Sequence, residues 1–385
     1  ANCYGDNSGN INTSISGGTP GYSYSWIPGS QTTPDINNIF AGVYILEVTD
    51  ANGCIQSDTF AISEPVDLIS TISTSDYNGY GVSCFGGNDG TISLTVDPNT
   101  GTAPFTYSWS SGQTAMNLSN RTTGQYTVTI TDAKGCNYQN TVDLIAPDIL
   151  SLSTAVTSNY NGADISCNGL DDGSASVTSS GGVQPHDILW NNSAISQNIS
   201  NLSAGTYSVE ITDKNGCISG PAVVTLNDPA ALSVGLNIRD SLSYNVSCFG
   251  ACDGMINSIP DGGTGPGTYT YNWTPASGNV PLINGLCVGP YSLTVTDNNG
   301  CSVTENTVIN GPTALIIDSI VGTDEICGGD CMGTITVYAT GATLYSLDGI
   351  TYQAGNIFSN LCAGNYTVYV QDANSCVVTT TATIS

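Results

Sequence analysis

Apolar and polar residues alternate along much of the chain, as in Thr91-Ile92-Ser93-Leu94-Thr95-Val96 and Tyr126-Thr127-Val128-Thr129-Ile130. A period of two puts every second side chain on one face, which is the pattern of a half-buried strand. No segment keeps a 3.6-residue apolar period beyond about ten residues, and turn signals recur every ~8–12 residues. The fold class expected is all-β, built from small antiparallel sandwiches of six or seven strands.

The alternation belongs to a repeat of about 80 residues, present five times. A leading cysteine opens each copy at Cys3, Cys84, Cys167, Cys248 and Cys327. An aromatic strand follows, Tyr22 to Trp26, Phe105 to Trp109, His186 to Trp190 and Tyr269 to Trp273, with Leu347 in place of Trp in the fifth copy. A polar segment then leads to a Gly-x-Tyr strand opening at Tyr44, Tyr126, Tyr207, Tyr291 and Tyr366, which ends at Asp50, Asp132, Asp213, Asp297 or Asp372. A second cysteine closes the hairpin at Cys54, Cys136, Cys217, Cys301 and Cys376, preceded in three copies by Asn-Gly, a pair that accepts positive φ. Trp on one strand, a nearby disulfide and a Tyr opening a late strand point to an immunoglobulin-like sandwich.

Pro65, Pro147, Pro229 and Pro312 close one copy, and Leu68, Leu150, Leu232 and Leu315 open an extended, β-branched stretch. Each stretch reads as the first strand of the following domain and leaves no slack between domains. The expected domains are 1–65, 66–147, 148–229, 230–312 and 313–385, five immunoglobulin-like repeats in a rigid rod. The first repeat begins at Ala1, two residues before Cys3, and lacks this first strand. That predicts an open sheet edge, a template for another chain.

Composition narrows the function. Four basic residues against 31 acidic ones give a net charge of -27, which excludes nucleic acid as a partner because phosphate affinity needs clustered Lys and Arg. The apolar fraction of 39% is too high for disorder, and the apolar runs are too interrupted for a membrane span. Ala1 follows no Met and no hydrophobic leader, so the chain reads as a processed protein or a piece of a larger one. Fourteen cysteines beside a single histidine point to disulfides and to an oxidising, extracellular or cell-surface location.

The economical pairing joins the two cysteines of one copy: Cys3 with Cys54, Cys84 with Cys136, Cys167 with Cys217, Cys248 with Cys301 and Cys327 with Cys376. The extra cysteines of copies four and five pair as Cys252 with Cys287 and Cys331 with Cys362. The alternative, zinc, wants clustered thiolates with His. Acidic turns such as Asn88-Asp89-Gly90 and Asp171-Asp172-Gly173 carry oxygen ligands of the kind calcium takes, in spacings that match no calcium loop and that ordinary turn chemistry explains. No other cofactor is implied. His186 has no counterpart in the other copies, and no Ser/His/Asp or Cys/His set assembles around it, so no catalytic site and no enzyme activity are expected.

The run Val82-Ser83-Cys84-Phe85-Gly86-Gly87-Asn88-Asp89-Gly90, then Pro104 to Trp109, Gly124-Gln125-Tyr126, Thr131-Asp132 and Gly135-Cys136, closely resembles SprB repeats. These modules build large cell-surface adhesins of gliding bacteria. The likeness runs through all five copies, although the fifth lacks the Trp and the chain lacks the type IX sorting domain that such proteins carry at their end. The resemblance implies export and a stalk or fibre touching a substratum. Asp240-Ser241-Leu242 and Asp318-Ser319-Ile320 resemble an O-glycosylation acceptor of bacteria with type IX secretion, which makes Ser241 and Ser319 candidate modification sites. The function expected is that of a structural fibre or adhesin subunit whose partners are copies of itself, assembled head to tail by strand pairing into a filament. The alternatives are an array binding surface glycans and a stalk that does not polymerise.

Overall fold

The structure is a computed structural model that describes residues 1–240, 243–265, 267–324, 329 and 331–385. Every regular element in it is a β-strand. The second repeat shows the plan. Its strands are β6 (Ser70–Thr74), β7 (Gly90–Val96), β8 (Thr106–Trp109), β9 (Leu118–Arg121), β10 (Gly124–Thr131) and β11 (Asn137–Leu144), preceded in the first repeat by β1 (Gly9–Ile11), β2 (Ser23–Ile27), β3 (Ile36–Ile39), β4 (Gly42–Thr49) and β5 (Ile55–Ile62). Strands β6-β7-β9 form one antiparallel sheet and β8-β10-β11 the other. Alternation explains the layers: Ile92 and Leu94 of β7 and Tyr126, Val128 and Ile130 of β10 point inward and close on Leu68, Trp109, Leu118 and Leu144 in one buried cluster.

The same pair of three-stranded sheets recurs in the third, fourth and fifth repeats. The first repeat is the exception. Its β2-β4-β5 sheet is complete, but the other sheet holds only β1 and β3. No strand among the described residues pairs with β1 as β6 pairs with β7, and β1 is three residues long where its counterparts β7, Gly173–Ser180, Gly254–Asp261 and Gly333–Thr340 run seven or eight.

All four Trp rings are interior, at 0–2% exposure, and each indole N–H donates to a loop carbonyl: Trp26 to Thr33 O, Trp109 to Ala115 O, Trp190 to Ser196 O and Trp273 to Val280 O, at 2.9–3.0 Å. A buried indole needs such a partner. The Tyr opening the late strand ties its hydroxyl to the carbonyl four residues upstream, Tyr44 to Phe40, Tyr126 to Thr122, Tyr291 to Cys287 and Tyr366 to Cys362. His186 has a structural task. Its Nε2 lies 3.1 Å from Gly181 O and its Nδ1 2.9 Å from Ser179 Oγ, so it makes the loop contact that the hydroxyls of Tyr22 and Tyr269 make to Gly17 O and Gly262 O.

The chain falls into two compact units. One comprises Ala1–Thr154, Val177–Gln197 and Tyr207–Val223 and holds the first two repeats with the late hairpin of the third. The other comprises Ala155–Ser176, Asn198–Thr206 and Val224–Ser385 and holds the leading loop of the third repeat with the fourth and fifth. No helix among the described residues is long and apolar enough to cross a membrane.

Candidate functional site at the repeat junctions

Each repeat carries one cysteine at either end, and the register shows why. Gly90, at the start of β7, lies opposite Arg121, at the end of β9. Three residues later β10 starts at Gly124 and runs the other way, with its far end Thr131 opposite Asn137 across the Cys136 hairpin. Eight strand residues at ~3.3 Å put about 25 Å between the two ends. A disulfide requires Cα atoms within ~7 Å, so Cys84 and Cys136 of one repeat do not meet.

The leading cysteine instead bonds the hairpin cysteine of the next repeat. In the first unit the bridges are Cys3–Cys136 and Cys84–Cys217, with Cα atoms 5.5 and 5.7 Å apart. In the second they are Cys167–Cys301 and Cys248–Cys376, at 5.6 and 5.8 Å. This overturns the pairings Cys3–Cys54, Cys84–Cys136, Cys167–Cys217, Cys248–Cys301 and, because Cys376 is bonded to Cys248, Cys327–Cys376. Within the chain Cys54 has no disulfide partner and is exposed, and Cys327, expected with Cys376, lies outside the described residues. The local extra pairs are Cys252–Cys287 and Cys331–Cys362. Closing a loop across a sequence separation of 133 stabilises by about 5 kcal/mol in the chain-entropy model, little more than the ~4 kcal/mol of a 50-residue loop. The larger difference is that the covalent bond now spans a junction between repeats.

Both cysteines are presented by aspartate-held turns. In the hairpin, Asp132 Oδ1 accepts the backbone N–H groups of Lys134 and Cys136, and Oδ2 accepts that of Thr102, at 2.8–2.9 Å. Asp50, Asp213 and Asp297 repeat this set on Thr19, Val183 and Thr264. Burial alone would raise the carboxyls of Asp132 and Asp297, but the N–H donors outweigh it and hold both below the usual range. Gly135 N donates to Asp132 O, and only the glycine is left-handed, at φ +86°. The Asn-Gly signal therefore marks a three-residue loop ending in a left-handed glycine, and not the two-residue turn with positive φ at both positions. On the leading side Asp89 Oδ1 accepts Ser83 N at 3.1 Å, and Asp172 Oδ1 accepts Ser166 N at 3.0 Å. These acidic turns shape the loop before the cysteine, and no group of three or more His, Cys, Asp or Glu side chains converges as metal ligands among the described residues.

An asparagine reads the neighbouring repeat. In the first unit Asn215 donates its amide to Tyr77 O at 3.1 Å and Ser83 O at 2.9 Å, and accepts from Asn78 Nδ2 at 2.6 Å, while Cys217 Sγ sits 3.3 Å from Ser83 O. In the second unit Asn299 does the same with Tyr160 O, Ser166 O and Asn161 Nδ2. Sequence reasoning missed these residues. The available signal was Tyr-Asn-Gly at 77–79 and 160–162, in the two repeats whose following hairpin carries Asn at 215 and 299. Of the candidate glycosylation sites, Ser319 is exposed on the strand Ile316–Thr323 and Ser241 lies outside the described residues.

Structural comparison finds tandem β-domain proteins at low identity. A Ca2+-stabilised, ice-binding adhesin of an Antarctic bacterium matches at 14% identity over 90% of this chain and 94% of its own, with a TM-score of 0.33. The N-terminal eight Ig domains of Down syndrome cell adhesion molecule match at 11% identity over 98% and 70%, with a TM-score of 0.30. Surface layer protein SbsC, domains 4–9, matches at 13% identity over 98% and 76%, with a TM-score of 0.19. No curated protein sequence matches the chain. The sequence model of the SprB repeat matches residues 1–31, 82–114 and 159–195, so the leading parts of the first three repeats are similar to that repeat.

Proposed function

We propose that this chain is a structural subunit of an extracellular or cell-surface fibre or adhesin, assembling head to tail by strand pairing. The likeness to SprB repeats supports an adhesin-like role, and six disulfides among the described residues support an oxidising, extracellular location. The reading is non-enzymatic, with every repeat devoted to the same sandwich and junction.

The observation that carries the assembly step is the two-stranded sheet of the first repeat. Where the second repeat seats β6 and Leu68, the first has a cavity of about 550 Å3 lined by Asn12, Ile15, Leu46, Asp50, Cys54 and Phe60. An unpaired strand edge beside a partly open core is the geometry that accepts an added strand, with main-chain hydrogen bonds giving affinity and alternate side chains filling pockets. The purified chain is expected to form filaments in negative-stain electron microscopy. A synthetic peptide covering residues 66–76, the first strand of the second repeat, is expected to cap the open edge and shorten them. A monodisperse monomer at every concentration, indifferent to the peptide, overturns the assembly step.

A further inference from the structure

The fifth repeat departs from the other four where its late hairpin meets the loop after the strand Gly333–Thr340. In the first four repeats the second oxygen of the hairpin aspartate is taken by a loop N–H, that of Thr19, Thr102, Val183 or Thr264, at 2.8–3.0 Å. The residue before each donor is a left-handed glycine, Gly18, Gly101, Gly182 or Gly263, at φ +56 to +67°. A side chain is excluded there twice over: the conformation disfavours it, and a Cβ on Gly182 or Gly263 would lie 2.8 or 2.7 Å from the aspartate Oδ2. The fifth repeat has Ala342 at this position, and Ala342 is not left-handed. Thr343 N accordingly donates to Gln371 O, 2.8 Å away, instead of to Asp372. The loop also stands off the entering segment. A Cβ on Gly181 or Gly262 would lie 1.9 Å from Ile149 O or 2.1 Å from Ala231 O, whereas one on Gly341 would lie 3.6 Å from Ala314 O. Asp372 keeps Oδ1 on the N–H groups of Asn374 and Cys376 at 2.8 Å, but Oδ2 receives no hydrogen bond from the described residues. Asp372 is 8% exposed, and among the described residues no sealed side-chain oxygen lacks a partner. Oδ2 therefore opens into the cavity of about 410 Å3 that Asp372 lines with Tyr244, Thr313, Gly341 and Asn374.

We propose that this cavity, at the junction of the fourth and fifth repeats, binds a saccharide residue, with Asp372 Oδ2 accepting from a ligand hydroxyl. Its volume falls in the range of small-ligand sites, ~300–1,000 Å3. The chemistry of the wall decides the class of ligand. A calcium ion takes six to eight oxygens, and no group of three or more His, Cys, Asp or Glu side chains converges among the described residues. An ammonium or guanidinium group would satisfy Oδ2 but offers no acceptor to the amide of Asn374. That amide donates to none of the described residues, whereas its counterparts Asn215 and Asn299 are held by carbonyls of the preceding repeat. A hydroxyl serves both groups at once, donating to Oδ2 and accepting from Asn374. Neighbouring hydroxyls of a sugar ring can in addition use Thr313, and half-buried Tyr244 supplies an aromatic wall for the ring. The site uses no residue of the first repeat, so the inference goes beyond filament assembly and stands independently of it.

The test compares the full-length chain with two variants on a printed array of plant, animal and bacterial glycans, followed by calorimetric titration with the methyl glycoside of the terminal sugar bound best. Asp372→Asn keeps an oxygen for the N–H groups of Asn374 and Cys376 and turns the free acceptor into a donor. Ala342→Gly restores the glycine of the other four repeats, so that Thr343 N can reach Oδ2 and close the cavity without removing a side chain that the ligand touches. This second variant is expected to melt no lower than the wild type, which separates loss of binding from loss of folding. The wild type is expected to bind, and both variants to lose affinity about ten- to a hundredfold, the worth of one hydrogen bond to a charged group. Absence of any glycan signal from the wild type overturns the proposal, as does a signal that Ala342→Gly and Asp372→Asn both retain. Binding of arginine or lysine methyl ester that depends on Asp372 and displaces the sugar overturns it in favour of a cationic partner.

Discussion

A ladder of bonds between repeats sets a ceiling on how far the chain can be stretched, and the ceiling differs sharply from that of bonds within repeats. The shortest covalent route from Cys3 to Cys376 crosses to Cys136, follows the chain to Cys167, crosses to Cys301, returns along the chain to Cys287, crosses to Cys252, returns to Cys248 and crosses to Cys376. The chain segments in that route total about 49 residues, which at ~3.5 Å each, with four disulfide crossings, limit the extension to roughly 190 Å. Bonds within each repeat would leave about 118 residues in the route and allow roughly 440 Å, and the reduced chain about 1300 Å. Single-molecule force spectroscopy with click-reactive handles at positions 2 and 377 separates these values. The oxidised chain is expected to stop at roughly 190 Å without sawtooth unfolding of whole repeats, and the reduced chain to show successive unfolding toward about 1300 Å. An oxidised extension of roughly 440 Å, or any above about 300 Å, refutes the ladder.

Other consequences follow from single residues. Asp132→Asn places an amide among three N–H donors and is expected to cost about 2–3 kcal/mol by urea unfolding, and to speed reduction of Cys3–Cys136 by dithiothreitol. The carboxyls of Asp132 and Asp297 are lower in the folded state than their ordinary 3.8, so their stabilisation is fully present above that pH and is lost as pH falls through the depressed folded values. Thermal melts are expected to be flat from pH 7 to about 5 and to drop below about pH 4. Trp109→Ala empties a core position and removes the bond to Ala115 O, an expected loss of about 3–5 kcal/mol. Gly90→Ala would set a Cβ 2.8 Å from Arg121 O and 3.1 Å from Gly81 O, and the strand shift needed is expected to cost about 1–3 kcal/mol.

The parts of the fold legible in the sequence are those set by local alternation and by short-range partners. Period two along Thr91 to Val96 identifies β7, and the Trp and Gly-x-Tyr positions mark strands because a buried indole or phenol finds its acceptor only four to seven residues away. Cys252 with Cys287 and Cys331 with Cys362 were legible for the same reason, since each pair is an addition confined to one repeat. The contacts of Asn215 with Tyr77 and of Asn299 with Tyr160 join partners at sequence separations of 138 and 139. They depend on how neighbouring repeats abut, which no single repeat encodes.

The disulfide pattern failed to read out for a reason of parity. Between Cys84 and Cys136 the chain forms β7, β8, β9 and β10, and four strands joined by simple reversals would return it to the end where it began. However, β8 and β9 do not each cross the domain. Strand β8 descends beside β10 from Thr106, opposite Thr131, only to Trp109, opposite Val128. Strand β9 completes the descent in the other sheet, from Leu118 opposite Ile92 to Arg121 opposite Gly90. Together they make one traverse, so the chain crosses three times between the two cysteines and leaves them at opposite ends. An odd number of crossings means that such a repeat does not bridge its own two cysteines. Its leading cysteine is fit to bond only a following repeat and its hairpin cysteine only a preceding one, so covalent continuity from repeat to repeat follows from how one descending strand is divided between two sheets. The first repeat keeps this odd count, since β2 and β3 share the descent as β8 and β9 do. Its hairpin cysteine, Cys54, therefore lies at the end away from Cys3, where it is exposed.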